Sequence, residues 1–270
     1  MADMALPAGL IERVAQLIEQ VSGSVIEPRF VSMTKADVRE KSPGELVTDA
    51  DEDGERLLAA GLGALWPGVP VVGEEGCAAD PTLVDALREE WAWLIDPVDG
   101  TGNFVAGSPE WAVMVSLHHR SETVMSWIWQ PVHRRMYVAE RGSGATVNAE
   151  PLTSAPRLGD GALRGAVLRR FLDAETLARV DRNAVHLAEV TTGRMCTGTE
   201  YPAIIEGERD FALYWRTLPW DHAPPVLLLE EAGGTARRPD GSAYHAGDGR
   251  AGLLVAANEE VWTTAVGLLR

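Results

Sequence analysis

Apolar residues recur at three- and four-residue steps through Leu10, Ile11, Val14, Ala15, Ile18 and Val21. That period predicts a helix with one buried stripe, and Gly23 is its expected stop. From Thr34 to Glu45 the chain is polar, with Lys35, Asp37, Arg39, Lys41, Pro43 and Gly44, and reads as a mobile loop or hairpin. A second helix is expected over Asp51 to Leu65, with Leu57, Leu58, Leu62 and Leu65 on one side and Pro67-Gly68 ending it. Pro70 to Gly73 and Trp91 to Ile95 are short apolar runs read as strands, the second stopped by Asp96-Pro97.

The period then changes. Ala112 to His118, Thr123 to Gln130 and Arg135 to Glu140 are spaced as an antiparallel meander. Trp127 and Trp129 alternate along one strand and pack on one face. Arg141 to Gly144 turns the chain, and Asn148 to Pro156 reads as a loop, so a boundary falls near residue 150. Strands are expected over Ala162 to Leu168, Phe211 to Trp215 and Leu253 to Ala256. Helices are expected from Asp173 to about Ala188, over Thr199 to Glu206, over Ala223 to Ala232 before Gly233-Gly234, and over Glu259 to Leu269. This alternation predicts an α/β layer.

Composition narrows the class. The 270 residues are 46% hydrophobic and 24% charged, as in an ordinary globular chain and unlike a disordered one. Acidic residues outnumber basic ones 40 to 24, a formal charge of −16. Such a field repels phosphate backbones and anionic lipid, which speaks against nucleic-acid and membrane partners, and it suits a protein that collects cations. Cys77 and Cys196 form no CxxC pair and read as buried thiols. Met1 to Pro7 carries an aspartate and no basic residue, unlike a secretory signal, so the expected compartment is the cytoplasm. Lys35 and Lys41 are the only lysines.

Carboxylates collect at strand tips. Glu74 follows Val71-Val72-Gly73, and Asp96 follows Trp93-Leu94-Ile95. In Asp96-Pro97-Val98-Asp99-Gly100-Thr101-Gly102-Asn103-Phe104, two aspartates flank a proline, so the chain is expected to turn and aim both acids at one point. Gly100 and Gly102 free the backbone for close approach, and successive N–H groups there can form an anion nest. Acids for a cation beside amides for an anion are what a metal-dependent phosphate site needs. Asp51, in Val47-Thr48-Asp49-Ala50-Asp51, is either a helix cap or a member of such a site. Asp221, in Pro219-Trp220-Asp221-His222, is open to the same two readings.

These strings together resemble the inositol monophosphatase family, within the lithium-sensitive, magnesium-dependent phosphatase superfamily. The resemblance runs through Val47 to Glu55, Gly73 to Gly76, Trp93 to Phe104, and Trp220-Asp221 through Gly233-Gly234. It implies a layered α-β-α-β-α sandwich and a homodimer. Residues 1–150 would be an α+β subdomain carrying most metal ligands, and 151–270 an α/β subdomain contributing Asp221 and substrate contacts. It implies that Glu74, Asp96 and the Val98 carbonyl hold one Mg²⁺ and that Asp96, Asp99 and Asp221 hold a second. Glu74 would help place a weaker third. Asp51 and Thr101 would orient and deprotonate the attacking water, and the amides of Gly100 and Thr101 would cradle the phosphate.

Elementary charge chemistry agrees. Glu74, Asp51, Asp96, Asp99 and Asp221 could bind a phosphate ester only with cations present. Oxygen donors select hard Mg²⁺ or Mn²⁺, and no His/Cys ligand cluster suggests zinc. The sequence departs from the family around the substrate. Lys41 is shifted by about one residue from the family's loop lysine and also reads as an ordinary solvated side chain. Tyr214-Trp215-Arg216-Thr217 lacks the glutamate of inositol-specific members. Glu200 follows Gly198-Thr199, where a small residue is usual. It either reads substrate hydroxyls or an amine, or is a solvated helix-start acid. Pro224 also replaces a small residue, which a first helical turn tolerates. His222 adjoins Asp221 and could lie near the site. The expected activity is hydrolysis of a small phosphate monoester. Candidates are inositol phosphate, histidinol phosphate, 3′-phosphoadenosine 5′-phosphate and a sugar bisphosphate. The other reading is a non-catalytic relative that binds a phosphorylated metabolite or a protein.

Overall fold

The computed structural model describes residues 6–32, 37–42, 44–155 and 161–269. Lys35, Pro43 and Pro156 lie outside the described residues. Helix α1 (Leu10–Val21) buries Leu10, Val14, Ile18 and Val21, the stripe read from the sequence. It does not stop at Gly23. A π-turn over Ser22–Ile26 carries the chain into α2 (Glu27–Ser32). Packing decides this: Ile26 is fully buried, and the Ser22 hydroxyl accepts from Trp129 Nε1 at 3.2 Å. Those contacts outweigh the roughly 1 kcal/mol that a helical glycine costs.

Strands β1 (Val38–Ser42) and β2 (Glu45–Thr48) form an antiparallel hairpin, and α3 (Asp49–Leu65) follows. Next come β3 (Val71–Gly73), α4 (Glu74–Ala79), a 3₁₀ segment (Pro81–Arg88) and β4 (Trp91–Asp99). Short α5 (Thr101–Val105) precedes the meander β5 (Ala112–His119), β6 (Glu122–Gln130) and β7 (Arg135–Glu140). Two further strands, β8 (Gly144–Val147) and β9 (Glu150–Leu152), extend it, so the 148–156 stretch is not all loop. These strands make one seven-stranded sheet ordered β3-β4-β5-β6-β7-β8-β9.

The second sheet uses β10 (Arg164–Val167), β11 (Glu189–Thr191), β12 (Phe211–Tyr214), β13 (Thr235–Arg237) and β14 (Leu253–Ala256), in the order β11-β10-β12-β14-β13. Its helices are α6 (Ala174–Asn183), α7 (Thr197–Ile205), α8 (Pro219–Glu231) and α9 (Glu259–Leu269). Past Asn183 the helix runs on as a 3₁₀ turn over Ala184–His186, close to the expected end at about Ala188, and β11 follows.

Layers are read from side-chain packing. Leu58 and Leu62 of α3 join the α1 stripe against Trp93, Val113, Val115, Trp127 and Trp129 on one face of the large sheet. Its other face packs Met114 and Ile128 against Tyr201 and Ile204 of α7 and Leu227 and Leu228 of α8, which also meet Ala212, Leu253 and Val255 of the small sheet. The far face of that sheet, with Phe211, Leu213 and Leu254, is covered by Val180 of α6 and Trp262 of α9. The result is an α-β-α-β-α sandwich. Both faces of the central strands are buried, which explains their nearly unbroken apolar runs.

Candidate active site

The parallel register of β3 and β4 pairs Gly73 with Ile95, so the next residues, Glu74 and Asp96, emerge side by side. β4 does not stop at Asp96-Pro97. Asp96 pairs with Met114 and Asp99 with Ala112, so β4 spends one more residue than β5 over this interval. That bulge keeps strand pairing while redirecting the aspartates, which a full stop would not do.

Ligand atoms of Asp96, Asp99 and Asp221 all lie within 4.8 Å of one another. Asp96 Oδ1 accepts from the Val98 N–H at 3.1 Å, but its Oδ2 is buried with no hydrogen-bond partner among the described residues. Asp99 Oδ2 accepts from Gly198 N at 2.5 Å and the Cys196 thiol at 3.1 Å, and lies 3.0 Å from the Thr197 hydroxyl oxygen. Burial raises the Asp99 pKa to about 6 even against those bonds. Burial and the charge of Glu74 push Asp96 and Asp221 well above the usual carboxylate range. Ionising such a cluster is unfavourable without a counter-charge, and these three carboxylates could hold a cation. The donors are all oxygen, so the residues fit a hard divalent ion.

Asp51 combines its two sequence readings. Thr48 caps α3, and Asp51, at the third helical position, closes a capping box. Its Oδ2 takes the Thr48 N–H at 2.8 Å and the Thr48 hydroxyl at 2.5 Å. Its Oδ1 receives the Thr101 hydroxyl at 3.1 Å. That hydroxyl also lies 3.0 Å from the Val98 carbonyl oxygen. Burial raises Asp51 to about 6, close to where a general base is effective.

Gly100 precedes α5 with φ 83°, and a Cβ there would fall 2.9 Å from Cys196 Cβ. No L side chain fits both constraints. The Gly100 carbonyl accepts from Asn103 and Phe104, leaving the amides at the start of α5 without helical acceptors. Asn103 Nδ2 ties this turn to the carbonyls of Glu110 and Arg194, each at 2.7 Å.

Glu55 and Thr197 join the site without having been singled out in the sequence, and Lys41 resolves between its two readings. Lys41 is not solvated: its Nζ lies 2.6 Å from Glu74 Oε1 and 2.6 Å from Glu75 Oε1. Burial opposes its charge, but the two glutamates prevail and its pKa is raised. Glu55 accepts the amides of Glu75 at 2.7 Å and Gly76 at 2.8 Å, fixing the start of α4. A Cβ at Gly73 would lie 2.3 Å from the Glu55 Cδ, so the glycine makes room for that carboxylate. The Thr197 hydroxyl reaches the Asp221 backbone oxygen at 2.5 Å. Only its place beside Gly198-Thr199 hinted at this.

A cavity of about 540 Å³ opens over these groups, lined by Lys41, Glu74, Asp96, Thr101, Asp221 and Arg216 among others. Glu200 also lines it, but is buried rather than solvated. Its Oε2 accepts the Arg194 N–H at 2.5 Å, and Arg209 Nε lies 2.6 Å from Oε1 as an ion-pair contact. His222 is at the cavity too. Burial lowers its pKa to about 3, and its neutral ring meets Tyr201 OH at 2.9 Å and the backbone of Arg216. Pro224 stands in the second turn of α8, not the first, and the helix continues through it. Both cysteines are buried. Among the described residues no helix is long and apolar enough to cross a membrane.

This sandwich, with acids at the strand tips between its sheets, has known counterparts. The model of the inositol monophosphatase family matches residues 10–268, and the chain belongs to that family of phosphatases. It is 30% identical over 259 residues to an inositol-1-monophosphatase of Rhizobium meliloti, covering 89% of this chain and 88% of that protein. It is 28% identical over 220 residues to the Nus factor SuhB of Vibrio cholerae, covering 78% and 79%. Among solved structures, the SuhB protein of Bartonella henselae shares the fold at a TM-score of 0.83, with 22% identity over 97% of this chain and 99% of that one.

Proposed function

We propose that this chain hydrolyses a small phosphate monoester with Mg²⁺, or Mn²⁺ in its place. Glu74, Asp96, the Val98 carbonyl, Asp99 and Asp221 would hold two ions, and Glu74 would help hold a weaker third. The observation that carries this reading is the unpartnered, buried Asp96 Oδ2 within the acidic cluster. When bound, the ions neutralise the carboxylates and the phosphate and acidify an attacking water.

The chain's own residues supply the rest. The Thr101 hydroxyl donates to Asp51 Oδ1, so its lone pairs are free to accept a proton from the water. Asp51 then receives the Thr101 proton, while Thr48 holds its other oxygen in place. The amides of Gly100 and Thr101 receive the phosphate oxygens.

Inositol phosphate, histidinol phosphate, 3′-phosphoadenosine 5′-phosphate and sugar bisphosphates are the candidate esters. The contacts of Glu200 with Arg194 and Arg209 speak against its use as a partner for a substrate ammonium. Arg216, on the cavity wall, is the better substrate-facing residue. Family membership supports a homodimer, lithium inhibition and two subdomains, 1–150 and 151–270, meeting at the cavity. A cytoplasmic setting goes with this reading. Phosphate release from those four esters, with and without Mg²⁺, tests it. Metal-dependent release from at least one ester, lost in Asp51→Asn, supports it; release that ignores both metal and Asp51 would sink it.

A further inference from the structure

The cavity also has a basic and aromatic wall, including Arg170, Phe171, Arg194 and Arg216. The Arg216 guanidinium lies 4.3 Å from the centre of the Phe171 ring and that of Arg170 lies 5.0 Å from it. One aromatic ring thus carries two cations. Arg194 is committed to Glu110 and Glu208. Arg216 differs. Its ion pair is with Glu45 of the β1–β2 hairpin, through Nη1. A guanidinium carries five N–H donors in a rigid fork, so that contact uses a minority of them.

Arg216 is also well anchored. The His222 ring bonds to its backbone, and Tyr201 holds His222. Glu45 is itself tied down, because its Oε2 accepts from Ser42 at 2.7 Å. A planar cation, stacked on a ring and fixed at the backbone, facing the same cavity as the acidic cluster, is built to receive an anion.

We propose that Arg216, backed by Phe171 and flanked by Arg170, reads a second anionic group on the substrate. The preferred ester then carries a carboxylate or a further phosphate on its alcohol part, and Glu45 is the internal anion that competes for the same fork. This deepens the phosphatase reading and rests on it.

The test is calorimetric binding with Mg²⁺ present, in an Asp51→Asn background that stalls turnover. Two matched pairs of probes are compared: 3-phosphoglycerate with glycerol 1-phosphate, and glucose 1,6-bisphosphate with glucose 1-phosphate. The two-anion member of at least one pair should bind about tenfold tighter or more, the scale of a charge-assisted hydrogen bond. Which pair shows the preference separates carboxylate from phosphate. Arg216→Ala should abolish the preference, Arg216→Lys should keep part of it, and Glu45→Gln should enlarge it. Equal binding within both pairs, or a preference that Arg216→Ala leaves intact, overturns the proposal. Wild-type protein is assayed in parallel for phosphate release from the same four esters. Silence there would count against the phosphatase reading, while the binding ratio would still decide the role of Arg216.

Discussion

The hydroxyl of Thr197 lies 2.5 Å from the backbone oxygen of Asp221. In a regular helix that oxygen would accept the N–H of residue 225, but residue 225 is proline and has none. Thr197 supplies the missing donor from the neighbouring helix. The same hydroxyl oxygen lies 3.0 Å from Asp99 Oδ2, so one side chain links the backbone of Asp221 to the carboxylate of Asp99. Thr197→Val keeps the shape and removes the donor. We expect a loss of about 1 kcal/mol, the net worth of a typical hydrogen bond at this part-buried position, with weaker Mg²⁺ binding. Urea denaturation and a Mg²⁺ titration of the melting temperature check both.

Asp96→Asn should act in opposite directions with and without metal. Burial and Glu74 make an ionised Asp96 unfavourable, so the neutral amide should raise the melting temperature of the metal-free protein. The variant should also lose the Mg²⁺-induced rise seen in wild type. A variant that melts lower than wild type without metal, yet responds fully to Mg²⁺, would contradict the assignment.

The pH dependence follows from the same groups. Burial raises Asp51 and Asp99 to about 6, and Glu75 to about 7. Their folded pKa values exceed their unfolded ones, so the metal-free fold binds more protons than the unfolded chain. Their contribution to stability is therefore most favourable near pH 4 and declines as pH rises to about 7. Mg²⁺ competes with these protons. The rise in melting temperature caused by Mg²⁺ should grow between pH 5 and pH 7.5. A rise that is flat or shrinks over this range would count against the cluster as the metal site.

Lys41 holds Glu74 and Glu75 with a single ammonium. A divalent ion that uses Glu74 must compete with it. Lys41→Met should strengthen apparent Mg²⁺ affinity about fivefold or more, because opposite charges about 4 Å apart attract by about 1 kcal/mol even at the dielectric of bulk water. Weaker Mg²⁺ binding in this variant would mean that Lys41 positions Glu74 rather than competing for it.

The sequence made the main elements legible because they obey simple periods. The α1 stripe, the meander and the acids at strand tips are local patterns. What stayed hidden depends on distant partners. Gly23 is a good stop until Trp129 claims Ser22 across the core. Asp96-Pro97 looks like a strand end until β5 supplies pairing on both sides of the bulge. Glu55 and Thr197 are ordinary polar residues in one dimension, and Lys41 is open to two readings there. Only the packed layers bring them to Glu74, the start of α4 and Asp221.

The most direct test of the account is inorganic phosphate release by wild type and Asp96→Asn, side by side, on the best ester across a Mg²⁺ titration. We expect wild-type rates to rise with Mg²⁺ and fall to background in chelator, with Asp96→Asn at least about a hundredfold slower at every concentration, beyond the 10–100-fold typical of outer metal-site contacts. Equal rates in the two proteins, or wild-type release that survives chelation, would contradict the claim that this acidic cluster is the catalytic metal site.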